Sequence, residues 1–208
     1  MCIRDRLKIT CTLTFARGTL IDLLARFSLE YPDIHFELNI SDESLDIIDA
    51  GFDLAIRVGE LRDSRLKCRP LMTGYLVPCA SPDYIARCGL PATPSELANH
   101  QFIFVGHVQS IIKRHLSLIP DLIVNDRQKK VVLNDTFSAY RAAVAGMGVT
   151  LLPSYLIEDA LSEGRLVELF KGAKRLPHEV NLIFPQSDFM PNKTRVFVDY
   201  LVNALGAA

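Results

Sequence analysis

The spacing of apolar and polar positions changes along the chain, and the changes mark the elements. Residues 7–12 alternate and are rich in β-formers, which predicts a strand. Arg17-Gly18-Thr19 predicts a turn into a helix over 19–31. That helix is apolar on two sides: Leu20, Leu23, Leu24 and Phe27 on one, Ile21 and Ala25 on another. An amphipathic surface helix needs only one such stripe. The helix is therefore either sandwiched in a core or packed on its own sheet and on a partner subunit. Pro32 ends it, and residues 34–40 predict a second strand. Ser41 or Asp42 can cap a short helix over 45–50, and residues 52–56 predict a third strand. The order β-α-β-α-β implies a parallel sheet covered by helices.

Two extended pieces follow, over 66–71 and 75–80. Pro78 in the second predicts an edge strand or a crossover between lobes. Ser81-Pro82 supplies a cap and a first-turn proline for a helix to about residue 87. Thr93-Pro94-Ser95-Glu96 has the form of a capping box. Strands are predicted over 102–105, 122–124 and 131–133. Asn134-Asp135-Thr136 then opens a helix to about residue 145. A helix over 154–162, an extended segment over 164–169, a strand over 179–184 and a last helix over 191–205 complete the chain. This pattern predicts two α/β lobes with the chain crossing between them twice. In open α/β sheets, ligands sit at the carboxyl ends of strands, and a cleft between lobes favours a small molecule.

The run 142–153 reads as a helix end, a turn built on Gly146 and Gly148, a short buried strand and a stop at Pro153. Alone it is a generic helix-to-strand junction. Taken with Gly51-Phe52-Asp53-Leu54-Ala55-Ile56-Arg57-Val58-Gly59 and Cys79-Ala80-Ser81-Pro82-Asp83-Tyr84, it resembles the effector-binding (substrate-binding) domain of LysR-type transcriptional regulators. The resemblance runs over about residues 7–205. It implies an α/β fold of the type 2 periplasmic-binding-protein-like class, with two α/β lobes joined by two crossover segments. The first lobe would take residues 7–76 and 177–208, the second residues 77–176, with crossovers near 75–80 and 176–179. The implied effector cleft is lined by Thr14, Phe15, Arg17, Ser41, Arg57, Val58 and Gly59 from the first lobe. The second lobe would add Val105, Asn134, Asp135, Thr136, Gly146, Met147 and Gly148. The resemblance also implies an antiparallel homodimer or higher homo-oligomer, in which Leu20, Ile21, Leu24, Ile34 and Phe36 meet the partner's second lobe. Two features depart from the family pattern. The winged helix-turn-helix is not in this chain, so DNA would be reached only through an N-terminal domain outside it. The second lobe also carries no tryptophan. Residues 1–6 fit neither period and read as a linker stub or an artefact.

Composition narrows the function. The chain has 208 residues, 49% of them hydrophobic, and a net charge of −1. A free-standing nucleic-acid surface usually has a basic excess, which is missing. Five scattered cysteines, with no secretory signal and no apolar run of membrane length, predict a reduced, soluble, cytoplasmic protein without a membrane partner. Arg17 and Arg57 follow predicted strands, and Ser41 and Thr136 sit at predicted helix starts. Guanidiniums and helix N-termini in one cleft suit a carboxylate-bearing effector. The competing reading pairs both arginines with Asp42, Glu43 or Glu60, or leaves them in solvent. The five histidines share no ligand spacing, so no metal and no cofactor is expected. Some LysR-type members sense oxidants through a cysteine pair, but Cys79 lies in an apolar segment where a thiol is usually inert packing. No nucleophile elbow, phosphate loop or His-Glu-x-x-His occurs, so no enzyme is expected. The expectation is a small-molecule sensing and dimerisation domain of a regulator. The alternative is a solute-binding protein of a transport system with the same fold.

Overall fold

The computed structural model describes residues 5–43, 46–58, 66–106, 129–172, 175–186 and 190–206. The predicted strand over 122–124, together with Gly59, Glu60, His107 and His115, lies outside them. The chain forms two compact units, one of Met1–Gly74 with His178–Ala208 and one of Tyr75–Pro177.

In the first unit, β1 (Asp5–Cys11) lies parallel between β2 (Ile34–Ile40) and β3 (Leu54–Val58). Antiparallel β9 (Leu176–Pro185) continues the sheet beyond β3, and β4 (Leu66–Ala80) neighbours β9. Leu7, Ile9 and Cys11 alternate along β1 with zero exposure, as expected of a central strand covered by helices. Helix α1 is made of Leu13–Phe15, a π-turn over Ala16–Leu20 and Ile21–Glu30. The expected turn at Arg17-Gly18-Thr19 is thus inside the helix, which starts six residues earlier than the sequence pattern suggests. The cause is a distant cap: the Leu13 N–H donates to Asp42 Oδ1 at 3.0 Å. Asp42 therefore caps α1 and not a helix over 45–50. Residues 47–50 form a turn, with the Ile48 and Asp49 N–H groups donating to Asp46 Oδ1.

On one side of this sheet Phe27 gathers Tyr31, Phe36 of β2, and Phe197 and Tyr200 of α5 (Asn192–Leu205). A smaller cluster joins Ile47, Phe52, Ala55 and Ile183. Of the residues expected at a dimer interface, Leu20 is fully buried and Leu24 is 7% exposed, both within their own unit. Phe36 meets Phe27 edge-to-face and Phe197 at a tilt, so its half-buried ring already packs on its own unit. Ile21 is 47% exposed.

In the second unit, β5 (Phe102–Val105) runs parallel to β6 (Lys129–Leu133). Ile103 and Val105 face a cluster with α3 (Thr136–Val144) and α4 (Ser154–Ser162), while Phe102 and Phe104 face Tyr84 and Leu97. Period-2 alternation thus fills both faces of a buried strand. Antiparallel β7 (Thr150–Pro153) pairs with the end of β4, and β8 (Val167–Glu168) pairs there too. Pro78 is therefore not on an edge. It sits opposite Leu151, and its carbonyl accepts the Leu169 N–H at 2.8 Å, so only its missing donor is absent from the ladder. The two extended pieces read from the sequence are one strand of 15 residues.

Local chemistry sets the helix ends. Ser81 caps α2 (Pro82–Cys88) by accepting the Tyr84 N–H at 3.2 Å. The predicted capping box forms differently: Thr93 makes no side-chain cap bond, and Glu96 reaches back to the Ala92 N–H at 2.9 Å, over a 3-10 turn of Pro94–Asn99. No helix among the described residues is long and apolar enough to cross a membrane.

Candidate functional site

The carboxyl ends of β1, β2 and β3 lie side by side, because Cys11 is in register with both Ile40 and Ile56. The Ser41 N–H donates to the Cys11 carbonyl at 3.0 Å and the Thr12 N–H to the Ile56 carbonyl at 3.3 Å, which draws the three exits together. Helix α1 begins at this edge. Its N-cap, Thr12, has extended backbone angles but makes no capping bond, and its Oγ1 is buried with no partner among the described residues.

Arg57 organises the edge. One guanidinium N–H donates to the Ser41 carbonyl, and Nη2 donates to Thr10 Oγ1 at 2.8 Å. Thr10 is fully buried and reaches Asn39 Oδ1 at 3.5 Å, at the limit of a hydrogen bond. Burial pulls the Arg57 pKa below its ordinary value, with Cys11 and Asp42 acting in the opposite direction. The Cys11 thiol, fully buried beside it, is pushed up to about 12 by desolvation, so it stays a neutral thiol. Asp42 is thus the carboxylate acting on this cation, and its Oδ1 already serves the Leu13 N–H.

The expected first-unit residues gather unevenly at this edge. Ser41, Arg57 and Thr14 are there, Thr14 being 7% exposed. Phe15 has no exposure and is a core side chain, while Arg17 projects to solvent from the π-turn. Val58 is half-buried at the end of β3. Thr10 and Asn39 complete the network and were not among the expected site residues, whereas Asp42 was expected beside the arginines and does act on Arg57. The available signal was Thr10 itself, a polar residue in an otherwise apolar strand end.

The second unit has a comparable edge. Val105, 3% exposed, ends β5, and the Gly106 N–H donates to the Leu133 carbonyl at 2.9 Å. Asn134 is exposed, and Asp135 is the N-cap of α3, accepting the Ser138 N–H at 2.8 Å. Thr136 is therefore inside the first turn and 4% exposed. Gly146, Met147 and Gly148 lie at the other end of α3, beside the start of β5, and are not brought together with Thr136. Arg87 Nη2 donates to the Gly146 carbonyl at 2.6 Å, and Gly148 abuts the Gln101 backbone. Met147 is 38% exposed.

Cys11, Cys68, Cys79 and Cys88 are free thiols. Burial raises the Cys79 pKa, so its reactive thiolate is scarce, whereas Cys88 is exposed. Among the described residues, no group of three His, Cys, Asp or Glu side chains could hold a metal ion.

Residues 3–206 match the LysR substrate binding domain family. The chain is 30% identical over 170 residues to an uncharacterized HTH-type transcriptional regulator of Haemophilus influenzae, covering 82% of this chain and 59% of the relative. It is 31% identical over 212 residues to the HTH-type transcriptional regulator PtxR of Pseudomonas aeruginosa, covering 97% of this chain and 64% of that protein. The chain thus spans about three fifths of the length of these relatives. The regulatory domain of CrgA from Neisseria meningitidis, a LysR-type regulator, superposes with a TM-score of 0.84 at 26% identity, over 98% of this chain and all of that one. The fold class is accordingly the type 2 periplasmic-binding-protein-like class. With the parallel edge built around Arg57, a near-complete family match and this superposition all in agreement, the chain belongs to the LysR substrate binding domain family.

Proposed function

We propose that this chain is the effector-sensing and self-associating module of a transcriptional regulator, and that its effector carries a carboxylate bound at the β1–β3 edge. The observation that carries the ligand chemistry is Arg57. Its guanidinium is half-buried, and among the described residues its hydrogen bonds go to a carbonyl and a hydroxyl. Neither carries a charge, and Asp42, the carboxylate acting on this cation, already accepts the Leu13 N–H. A desolvated cation that uses two of its N–H donors among the described residues, beside a helix N-terminus whose Thr12 hydroxyl has no partner among them, favours an anion. Relatives that are transcription regulators support a sensor over a transport protein, and support binding over catalysis. DNA would be contacted by a domain outside this chain.

The test is calorimetric titration of the purified chain with a panel of small carboxylic acids and their amides. Acids should bind and amides should not. Arg57→Gln should weaken acid binding by about 10–100-fold, the size of a charge-assisted hydrogen bond, whereas Arg57→Lys keeps the charge and should lose less. Equal binding of acids and amides would remove the carboxylate reading. Far-UV circular dichroism of both variants separates a lost ligand contact from a collapsed Ser41 loop.

Self-association is assigned to the outer face of α1 and the edge strand β2, where Ile21 is 47%, Leu29 85% and Ile40 40% exposed. Exposed apolar side chains along one face mark a partner surface, and a two-fold contact closes without polymerising. Ile21→Asp should give a folded monomer in sedimentation. A wild-type chain that is monomeric at about 100 μM, far above a micromolar dissociation constant, would overturn this assignment.

A further inference from the structure

We propose that Tyr84 and His100 form an acid-sensitive latch that fastens helix α2 to the start of strand β5. Both side chains are buried, Tyr84 3% and His100 5% exposed. The Gln101 N–H donates to the Tyr84 hydroxyl at 2.9 Å, and the same hydroxyl lies 3.3 Å from His100 Nδ1. A phenol that accepts from Gln101 has one proton to give, and a neutral imidazole takes it at Nδ1. In that arrangement the imidazole is its neutral Nε2–H form.

The latch adds polar ties to elements that already share the apolar cluster of Tyr84, Leu97, Phe102 and Phe104. Gln101 uses its carbonyl to accept the Val149 N–H at 2.8 Å, and Ile103 donates to the Val149 carbonyl at 2.9 Å. Tyr84 therefore ties α2 to the backbone that carries β5 and the turn before β7. The second tie is Arg87 on the Gly146 carbonyl. The ionisable groups around the pair are Arg87 and Cys88 of α2 and Glu96 of the 3-10 turn. Strand β5 contributes apolar Phe102 to the surrounding cluster, and Val149, just before β7, pairs with it. Burial lowers the His100 pKa, with Glu96 opposing.

Protonation puts an N–H on both imidazole nitrogens. Nδ1 can then only donate, the Tyr84 proton must turn away, and a charge sits in the cluster. A histidine whose native pKa lies below its unfolded value contributes stability above that unfolded value and loses it as pH falls. The window opens just below the ordinary value of about 6.5 and extends down to the lowered native pKa. The proposal does not depend on the effector reading.

The experiment is amide hydrogen exchange of Gln101 in the full chain between pH 7.5 and 5, corrected for intrinsic rates. The wild-type opening equilibrium should rise by up to about tenfold per pH unit inside the window. His100→Asn offers an acceptor without a titrating proton and should make the profile flat. A flat wild-type profile, or the same slope in the variant, overturns the latch. Should His100→Asn fail to fold, the wild-type imidazole titration by NMR decides alone: a midpoint below 6.5 supports the latch, and one at or above 6.5 overturns it.

Discussion

Phe27→Ala should destabilise the first unit by about 3–5 kcal/mol, the usual cost of emptying a buried phenylalanine site. Phe27 has no exposed surface. Its ring lies 4.5 Å from Tyr31, 5.0 Å from Phe197, 5.0 Å from Tyr200 and 5.8 Å from Phe36, three of these contacts being edge-to-face. Such geometry adds to the area term, because positive ring edges meet negative faces. One side chain thus joins α1 and β2 to α5, which lies more than 150 residues further along the chain. Truncation removes the piece common to all four contacts, and the neighbours are held by their own helices and strand and cannot close the gap. Guanidinium unfolding followed by circular dichroism measures the loss. Glu30→Ala at the exposed end of the same helix, outside the residues assigned to self-association, is the control and should stay within about 0.5 kcal/mol of wild type. A loss below about 1 kcal/mol for Phe27→Ala would mean that the aromatic cluster is not the keystone of α1 packing.

Gly148→Ala should cost the second unit about 3 kcal/mol, the upper end of the range for overpacking. A Cβ at this position would stand 2.5 Å from the Gln101 carbonyl oxygen and 3.0 Å from its carbon. The obstacle is backbone, so no rotamer relieves it. Nor can that backbone retreat, because Gln101 accepts the Val149 N–H and donates to Tyr84. Gly164→Ala is the informative contrast. Its φ is +71° and nothing lies within 4 Å of a new Cβ, so only the left-handed backbone resists, at about 1–2 kcal/mol. Hydrogen exchange resolved by unit is the measurement to use, since two units need not unfold together. Equal losses for the two glycines would show that close approach at Gln101 is not the constraint.

Local signals were legible where one short segment decides. Ser81-Pro82 caps α2 through a bond three residues long, helix α3 follows from period and cap, and α4 follows from its period, since Ser154 accepts the Tyr75 N–H and does not cap it. The parallel order of β1, β2 and β3 follows from strands separated by helical pattern. What was not legible depends on partners far along the chain. The sequence pattern ends the first strand at residue 12 and starts the helix at 19, yet Leu13–Phe15 are already helix because Asp42 reaches Leu13. Pro78 looks like an edge residue, yet strands pair on both sides of it. Arg57 was recognisable as a candidate for an anion, but its grip on Ser41 and Thr10 spans 16 and 47 residues and no spacing rule encodes it. Leu20 and Leu24 could not be told from Ile21 as interface residues, because a helix with apolar residues all round does not say which face its own sheet takes.

The π-turn at Ala16–Leu20 also bears on which length changes the helix can absorb. Such a turn holds one residue more than the α-helix around it needs. Removing one residue between Ala16 and Leu20, Gly18 for instance, would let this stretch relax to ordinary α-helix with both flanking segments still facing their present neighbours. Removing one between Leu23 and Phe27 would instead swing Phe27 by about 100° off its cluster, the rotation of one residue in a helix of 3.6 per turn. Helix α1 therefore carries a built-in site for a single-residue deletion, three residues from its capped end and well clear of its aromatic anchor.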